Sequence, residues 1–333
     1  LVAGTHGVTF FGKSWDLHVR EALRVSLEEN LRMIADTVSF LKRHGRVVMY
    51  DAEHFFDGFR ENREYALKTL EVAAENGAAV LILCDTNGGS IPSVIHRVVE
   101  EVKARVGVPL GIHCHNDTEL AVANSVAAVE AGVTQVQGTI NGYGERCGNA
   151  NLCSIIPALQ LKLGYHCVAP DRLKTLTEVS HYVAEVCNMR PDDHQPFVGG
   201  SAFAHKGGVH INAVLKNPKT YEQIDPAAVG NRRRLLISEM GGRTTILNRA
   251  RALALDLHGD QTKAKQLLKR VQQLESKGYQ FEAAEGSFEL LMRRAYKRFK
   301  RFFELEGFRV VVEKAPDGKM TSEATIKVKV DGV

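Results

Sequence analysis

The chain has 333 residues, 44% of them hydrophobic, and carries 43 basic against 39 acidic side chains for a net charge of +4. That length can bury one large domain or two to three smaller ones. The near-neutral balance lacks the basic excess of a protein that grips nucleic-acid phosphates, and no run of about 18 apolar residues offers a membrane span. Six cysteines (Cys84, Cys114, Cys147, Cys153, Cys167 and Cys187) form no CxxC pair, and no secretory signal pattern is present. They read as reduced thiols of a cytoplasmic protein. Leu1 stands where an initiator Met is expected, and the true N-terminus is read as missing.

The first half repeats a strand followed by a helix. Gly7–Phe11 is a β-prone run, with a long helical segment after it to about Arg43. Arg46–Tyr50 is the next strand, and 62–76 the next helix, stopped by Gly77. Ala78–Cys84 is a third strand, and its helix starts near Ser90, an N-cap candidate with Pro92 close behind. Ile91, Val94, Ile95, Val98, Val99 and Val102 recur at helical spacing and mark one face. Pro109–Cys114 is a fourth strand, followed by an Ala- and Val-rich helix to Gly132 and a fifth strand over Val133–Ile140.

A run as apolar as Val80-Leu81-Ile82-Leu83 is covered on both faces, and strands joined by helical crossovers are parallel. The class is α/β. A doubly wound sheet and a (β/α)8 TIM barrel look alike at this level, and the polar residues choose between them. Tyr50-Asp51-Ala52-Glu53, Cys84-Asp85-Thr86-Asn87, His113-Cys114-His115-Asn116-Asp117 and Thr139-Ile140-Asn141-Gly142 all fall at strand C-terminal ends. Polar groups delivered to one rim by successive strands are how a barrel builds its site, whereas a doubly wound sheet concentrates its site at one switch point. Five units are visible where a closed barrel needs eight, so about three N-terminal units are expected to be absent.

After about residue 195 the texture changes. Pro196 to His210 is rich in Gly and His, helices are expected over 245–257, 261–277 and 282–300, and strands from Phe308 and over Ala324–Val330 flank a Pro316-Asp317-Gly318 turn. A lone hairpin is marginal in water, so it reads as the beginning of a further domain. The expected division is a partial barrel over 1–195, helical linker subdomains over 196–300 and the start of an α+β domain over 301–333.

His113-x-His115 is the strongest chemical signal. Side chains at i and i+2 of a strand share a face, so both imidazoles point to the interior near the rim. Two convergent histidines suit a metal ion; the alternative is one metal-free catalytic histidine beside a buried neighbour. The Gly-rich stretch from Gly142 to Ala150 offers Asn149 as an oxygen ligand and Glu145 as a residue that orients a ligand. Glu53 and Thr86, on neighbouring rim positions, can act as an acid or base and as a hydroxyl donor to a carboxylate. Arg232–Arg234 and the basic cluster from Arg293 to Arg301 are either solvated surface or a local phosphate site.

Taken together, these stretches resemble the acyl-CoA-condensing, metal-dependent TIM barrels of the 2-isopropylmalate, homocitrate and citramalate synthase family. The resemblance is carried by Phe11 to His18, Tyr50 to Gly58, Cys84 to Gly89, Gln137 to Gly142 and Ala204 to His210, and it leans toward the citramalate branch. It implies a divalent metal (Mg, Mn or Zn) held by His113, His115 and Asn149. It implies Glu53 near the reacting groups, Thr86 on a 2-oxo acid such as pyruvate, and Asp51 near the position that selects that acid. His210 and Tyr221 match residues that approach the acetyl-CoA end, and Lys206 with Arg232–Arg234 are candidates for its phosphates. A homodimer, a C-terminal regulatory domain and no nucleic-acid or membrane partner also follow from the resemblance. The family's Asp-x-x-x-Arg-Asp-Gly motif is absent, so this stretch alone is expected to be inactive. The rival readings are 2-isopropylmalate synthesis from 2-oxoisovalerate, a retro-aldol lyase on the same barrel, and a non-catalytic remnant or regulatory partner.

Overall fold

The computed structural model describes residues 2–236, 261–281, 284–295 and 302–330. The expected helix over 245–257 lies outside these residues, as does the end of the one over 282–300. The chain divides into two compact units, one comprising 1–203 and 223–233, the other 204–222 and 234–333.

The first unit is built on a five-stranded sheet of β1 (Gly7–Lys13), β2 (Val47–Glu53), β3 (Val80–Asp85), β4 (Leu110–Cys114) and β5 (Gln135–Gln137). All four pairings are parallel and the spatial order is β1-β2-β3-β4-β5. A doubly wound sheet would reverse direction at a switch point, so this single winding is the arrangement of a barrel. The sheet also curls. Gln137 on β5 donates from Nε2 to Asp51 Oδ1 on β2 at 3.0 Å. Three strand spacings span about 14 Å in a flat sheet, which is too far for an Asp and a Gln to meet over one face.

The crossover helices are α1 (Asp16–His18), α2 (Leu27–Arg43), α3 (Phe55–Glu61), α4 (Arg63–Glu75), α5 (Pro92–Arg105) and α6 (Ala121–Glu130). After β5 come α7 (Leu152–Lys162), α8 (Pro170–Leu173) and α9 (Leu176–Val186). The long segment expected after the first strand is interrupted. A π-turn over Val19–Leu23 ends on Arg24 in the left-handed region, and α2 then starts afresh because the Ser26 hydroxyl accepts from Glu29 N at 3.1 Å. Ser90 does not cap α5. Ile91 is the N-cap and is 50% exposed, while Ser90 turns back to hydrogen-bond the Asp85 carboxylate. Of the predicted face, Ile95, Val98, Val99 and Val102 are buried against the sheet. The fifth strand also stops early: Ile140–Gly142 is a 3-10 turn, with Asn141 at φ +65°.

The core lies between the sheet and these helices. Leu81, Ile82 and Leu83 of β3 are fully buried, as the apolar run requires. Leu81 and Leu83 belong to one continuous cluster with Tyr50, Phe55, Leu67, Leu70, Ile95 and Ile112. A second cluster gathers Cys153, Leu173, Leu176, Phe197, Val198, Phe203 and Val229. All six cysteines are free thiols.

The second unit holds a short parallel pair, β6 (Ala204–His205) and β7 (Arg234–Leu235), with α10 (Gly208–Lys216) following β6. Two later helices, α11 (Gln261–Glu275) and α12 (Glu285–Ala295), bury Leu267, Val271, Phe288 and Met292. The hairpin pairs β8 (Glu304–Lys314) with β9 (Met320–Lys329) antiparallel around the Pro-Asp-Gly turn, where Gly318 has φ +85°. Among the described residues no helix is long and apolar enough to cross a membrane.

Candidate metal centre at the C-terminal rim of the sheet

β4 carries His113, which sits in register with Cys84 on β3 and Gln137 on β5. His115 follows just past the strand end, where its backbone N donates to Asp85 O at 3.1 Å. The alternation that put both imidazoles on one face holds: the rings stack with centroids 5.2 Å apart and planes 18° from parallel. Asn149 is brought opposite by a tight return of the chain. It bridges to His115 in antiparallel fashion, with Asn149 N donating to Gly142 O and Ala150 N to Cys114 O. The return needs its glycines. A Cβ on Gly148, at φ +92°, would sit 2.1 Å from Gly142 O, and one on Gly144 would sit 2.0 Å from Asn149 Nδ2.

Hydrogen bonding fixes how each polar atom points. Gln137 gives its amide N–H to Asp51, so its Oε1 is the atom facing His113 Nδ1 at 2.8 Å. An amide oxygen only accepts, so the Gln137 contact favours the Nδ1–H tautomer of His113, which leaves a lone pair at Nε2. Nε2 faces Asn149 Oδ1 at 2.9 Å, a hydrogen bond in the Nε2–H tautomer and a pair of acceptors in the Nδ1–H one, and the Asn149 amide N–H is directed to Tyr143 O at 3.3 Å. In the Nδ1–H tautomer His113 Nε2 and Asn149 Oδ1 are two acceptors facing one point, the arrangement a cation requires. Beside them, His115 Nδ1 is buried without a hydrogen-bond partner among the described residues. Burial lowers the His115 pKa, helped by His113 and Arg146 and opposed by Asp117 and Glu145, so the ring favours its neutral, ligating form. The donor set of imidazole nitrogens and an amide oxygen fits a divalent cation.

A second grouping, Asp51, Cys84 and His113, also brings possible ligand atoms within 4.8 Å of one another. Its chemistry is poorer. Cys84 is buried, and burial pushes its thiol well above the ordinary range, which disfavours the thiolate a metal requires. Asp51 is already tied to Gln137. Burial raises its pKa against the pull of the Gln137 hydrogen bond and of His113.

The remaining candidate residues fall into two groups. Glu53 ends β2 opposite Lys13 of β1 and forms an ion pair with it. Thr86 accepts from the backbone N of His54 at 2.8 Å and keeps its own O–H to donate. Glu145 lies on the exposed part of the return. Arg146 there makes a two-point contact with Asp117 and donates to Thr86 O, lashing the return to the β3 and β4 rims. His210 and Tyr221 belong to the second unit, where their rings stack at 4.1 Å; beside them in sequence His205 pairs with the buried Glu222 at 3.2 Å. Lys206 and Arg234 also belong to that unit, Arg232 and Arg233 to the first.

Sequence reasoning assigned no role to Gln137 or Lys13. Each had a signal. Gln137 sits in a period-two pair with Gln135, polar side chains on a strand otherwise expected to be apolar, and Lys13 is the last residue of a strand whose neighbour ends in Glu53.

The HMGL-like family model matches residues 1–183, and the model described as homocitrate synthase post-HMGL domain-like matches residues 197–279. The (R)-citramalate synthase of Geobacter sulfurreducens is 52% identical over 325 residues, 97% of this chain and 62% of that protein. The 2-isopropylmalate synthase of Sulfolobus acidocaldarius is 34% identical over 284 residues, 85% of this chain and 72% of that protein. The chain thus spans a little over three fifths of the length of the citramalate synthase it matches. The crystal structure of the Bacillus subtilis HMG-CoA lyase superposes with a TM-score of 0.50 at 21% identity, covering 56% of this chain and 65% of that one, a likeness of fold. With more than half its length matched by that model, and the singly wound parallel sheet that goes with it, the chain belongs to the HMGL-like family.

Proposed function

We propose that the chain is the greater part of a citramalate synthase, which condenses acetyl-CoA with pyruvate and water to give citramalate and CoA. The observation that carries this is the 52% identity to an (R)-citramalate synthase across 97% of the chain. The 2-isopropylmalate synthase stands further away, at 34%. In this reading the five strands correspond to strands four to eight of a (β/α)8 barrel, and the hairpin to the start of a regulatory domain. A cytoplasmic homodimer belongs to the same reading.

His113, His115 and Asn149 are the proposed ligands of a divalent cation, Mg, Mn or Zn. Such a cation supplies Lewis acidity toward a ketone oxygen. The protein's own groups do the rest. Thr86 donates its hydroxyl proton to the carboxylate of the 2-oxo acid. Glu53, with its charge balanced by Lys13, is the carboxylate beside the reacting carbons, placed to hold or move a proton. His210 and Tyr221 act at the acetyl-CoA end, where removing a methyl proton creates the enolate nucleophile. Glu145 orients the ligand set, and Asp51 lies close enough to influence which 2-oxo acid is taken.

A panel of 2-oxo acids given with acetyl-CoA to the full-length protein, read by thiol release, tests the proposal. Pyruvate is expected to be preferred. Preference for 2-oxoisovalerate would move the chain to the isopropylmalate branch, and no thiol release with any 2-oxo acid would refute a condensing role.

A further inference from the structure

Three residues of the rim form a line that the proposed reaction does not account for. Asp51 Oδ1 accepts from Gln137 Nε2 at 3.0 Å, and Gln137 Oε1 faces His113 Nδ1 at 2.8 Å. The three side chains come from β2, β5 and β4, so the line closes across the curled face of the sheet. A glutamine amide is symmetric in shape and can sit either way round. With the oxygen turned to Asp51, two acceptors would oppose each other at hydrogen-bond distance. The carboxylate therefore selects the amide orientation, and the amide orientation selects the histidine tautomer.

We propose that Gln137 and Asp51 are positioning residues, a relay that holds His113 as its Nδ1–H tautomer so that Nε2 is kept as a lone pair for the cation. The proposal rests on the metal reading of His113, His115 and Asn149. It also gives Asp51 a role beyond choice of 2-oxo acid: its carboxylate acts on the cation through two intervening side chains. Ligating histidines commonly have the second ring nitrogen held by a carboxylate or carbonyl, and loss of such a partner costs about 10- to 100-fold in metal affinity. Here an amide is interposed between the two hydrogen bonds and sets their direction, while the carboxylate, with a ligand atom within 4.8 Å of a His113 nitrogen, also acts on the ring through its charge.

The test uses the full chain in two measurements. The first is the tautomer of His113 in the metal-free protein, read from nitrogen chemical shifts in a 15N–1H correlation spectrum. The second is Mn2+ affinity by calorimetry. Wild type should show the Nδ1–H form. Gln137→Leu, nearly isosteric but unable to accept, should populate the Nε2–H form and weaken Mn2+ by about 10- to 100-fold. Gln137→Glu should be weakened as well, because it sets two carboxylates against each other. Adding Asp51→Asn to Gln137→Glu restores a donor facing an acceptor at the distal end and keeps an acceptor for His113 Nδ1–H. That double variant should regain affinity to within a few-fold of wild type, which a merely space-filling role for Gln137 would not produce. A wild-type His113 protonated on Nε2, an unchanged tautomer in Gln137→Leu, or a double variant no better than Gln137→Glu overturns the relay. Wild type with the Nδ1–H tautomer and no Mn2+ or Zn2+ binding refutes the metal centre while leaving the tautomer lock supported.

Discussion

Gly144→Ala is a sharp test of whether Asn149 belongs to a metal shell. Gly144 does not have a positive φ, so its backbone accepts alanine without conformational strain. The effect then comes from one methyl group. Its carbon would lie 2.0 Å from Asn149 Nδ2 and 3.0 Å from Asn149 Cγ. Ordinary contact begins near 3.5 Å, so the amide must retreat by about 1.5 Å. A shift of that size breaks the Asn149 N–H to Tyr143 O hydrogen bond and pulls Oδ1 away from its 2.9 Å approach to His113 Nε2. Overpacking of this kind costs about 1–3 kcal/mol. The clash is with the movable end of one side chain, which places Gly144→Ala near the lower end, a stability loss of about 1 kcal/mol. The functional loss should be larger in proportion, since a displaced ligand oxygen weakens the cation by at least the roughly 10-fold seen when a supporting residue is lost. Calorimetric titration with Mn2+ and thermal melts with and without the metal read both quantities. The double variant Gly144→Ala/Asn149→Ala supplies the decisive comparison. With the amide gone the methyl has room, so the double variant should melt at or above Gly144→Ala and bind metal as weakly as Asn149→Ala alone. Unchanged metal affinity in Gly144→Ala, or a double variant that melts well below both single variants, would refute the reasoning.

Gly58 inside α3 offers a reversal of the usual helix rule. Glycine to alanine in an exposed helix gains up to about 1 kcal/mol, but a Cβ here would lie 2.5 Å from Ser14 O and 3.0 Å from Trp15 Cα, backbone that cannot swing aside. Gly58→Ala should therefore lose about 1–3 kcal/mol by urea unfolding, and a stabilised variant would show the packing to be wrong. At Asp57, burial alone would raise the carboxyl, yet the His54 and Asn87 hydrogen bonds and the Arg60 and His54 charges outweigh it and hold the pKa below its ordinary value. A carboxyl lowered on folding gives stability that is full above the unfolded value of about 3.9 and drains as pH falls through the folded value. Asp57→Asn should thus destabilise at pH 7 and by less at pH 3, and an equal loss at both would refute the linkage. Removing divalent metal with a chelator should lower the melting temperature, and restoring it at about 100 times its Kd should return roughly 2.7 kcal/mol; a melt indifferent to metal would argue against a built site.

Much of the fold could be read from local pattern. Strand β3 announced itself because a strand buried on both faces must be apolar throughout, and the hairpin turn because Pro-Asp-Gly needs a residue at positive φ, which Gly318 provides. The polar residues after each strand mark one rim from sequence alone. Errors came where a local preference met a tertiary competitor. Ser90 is a good cap in isolation, but the buried Asp85 carboxylate takes both its hydroxyl and its backbone N–H. The segment before α2 has helical periodicity throughout, but Ser26 followed by Glu29 signals a fresh start that outweighs it.

The site shows a different limit, and it concerns distance along the chain. His113 and His115 are two residues apart on one strand, so their shared face follows from period two alone. Asn149 has a similarly local signal, since Gly142, Gly144 and Gly148 just before it permit a tight return that lets its side chain reach back. Asp51 and Gln137 are 86 residues apart and lie on strands that are not paired in the sheet. Only the curl of the sheet brings them together, and the curl depends on how the crossover helices pack on its outer face. No short window of sequence contains that information. Asp51 alone therefore reads as a residue pointing at substrate, whereas with Gln137 in place its carboxylate already has a partner. The roles compete for the same oxygens: a 2-oxo acid that hydrogen-bonded Asp51 Oδ1 would release Gln137 and with it the His113 tautomer. If Asp51 governs substrate choice by direct contact, Asp51→Asn should change the ratio of kcat/KM for pyruvate and 2-oxoisovalerate and leave Mn2+ affinity alone. If it works through the relay, both substrates should fall together as Mn2+ affinity falls, with their ratio unchanged.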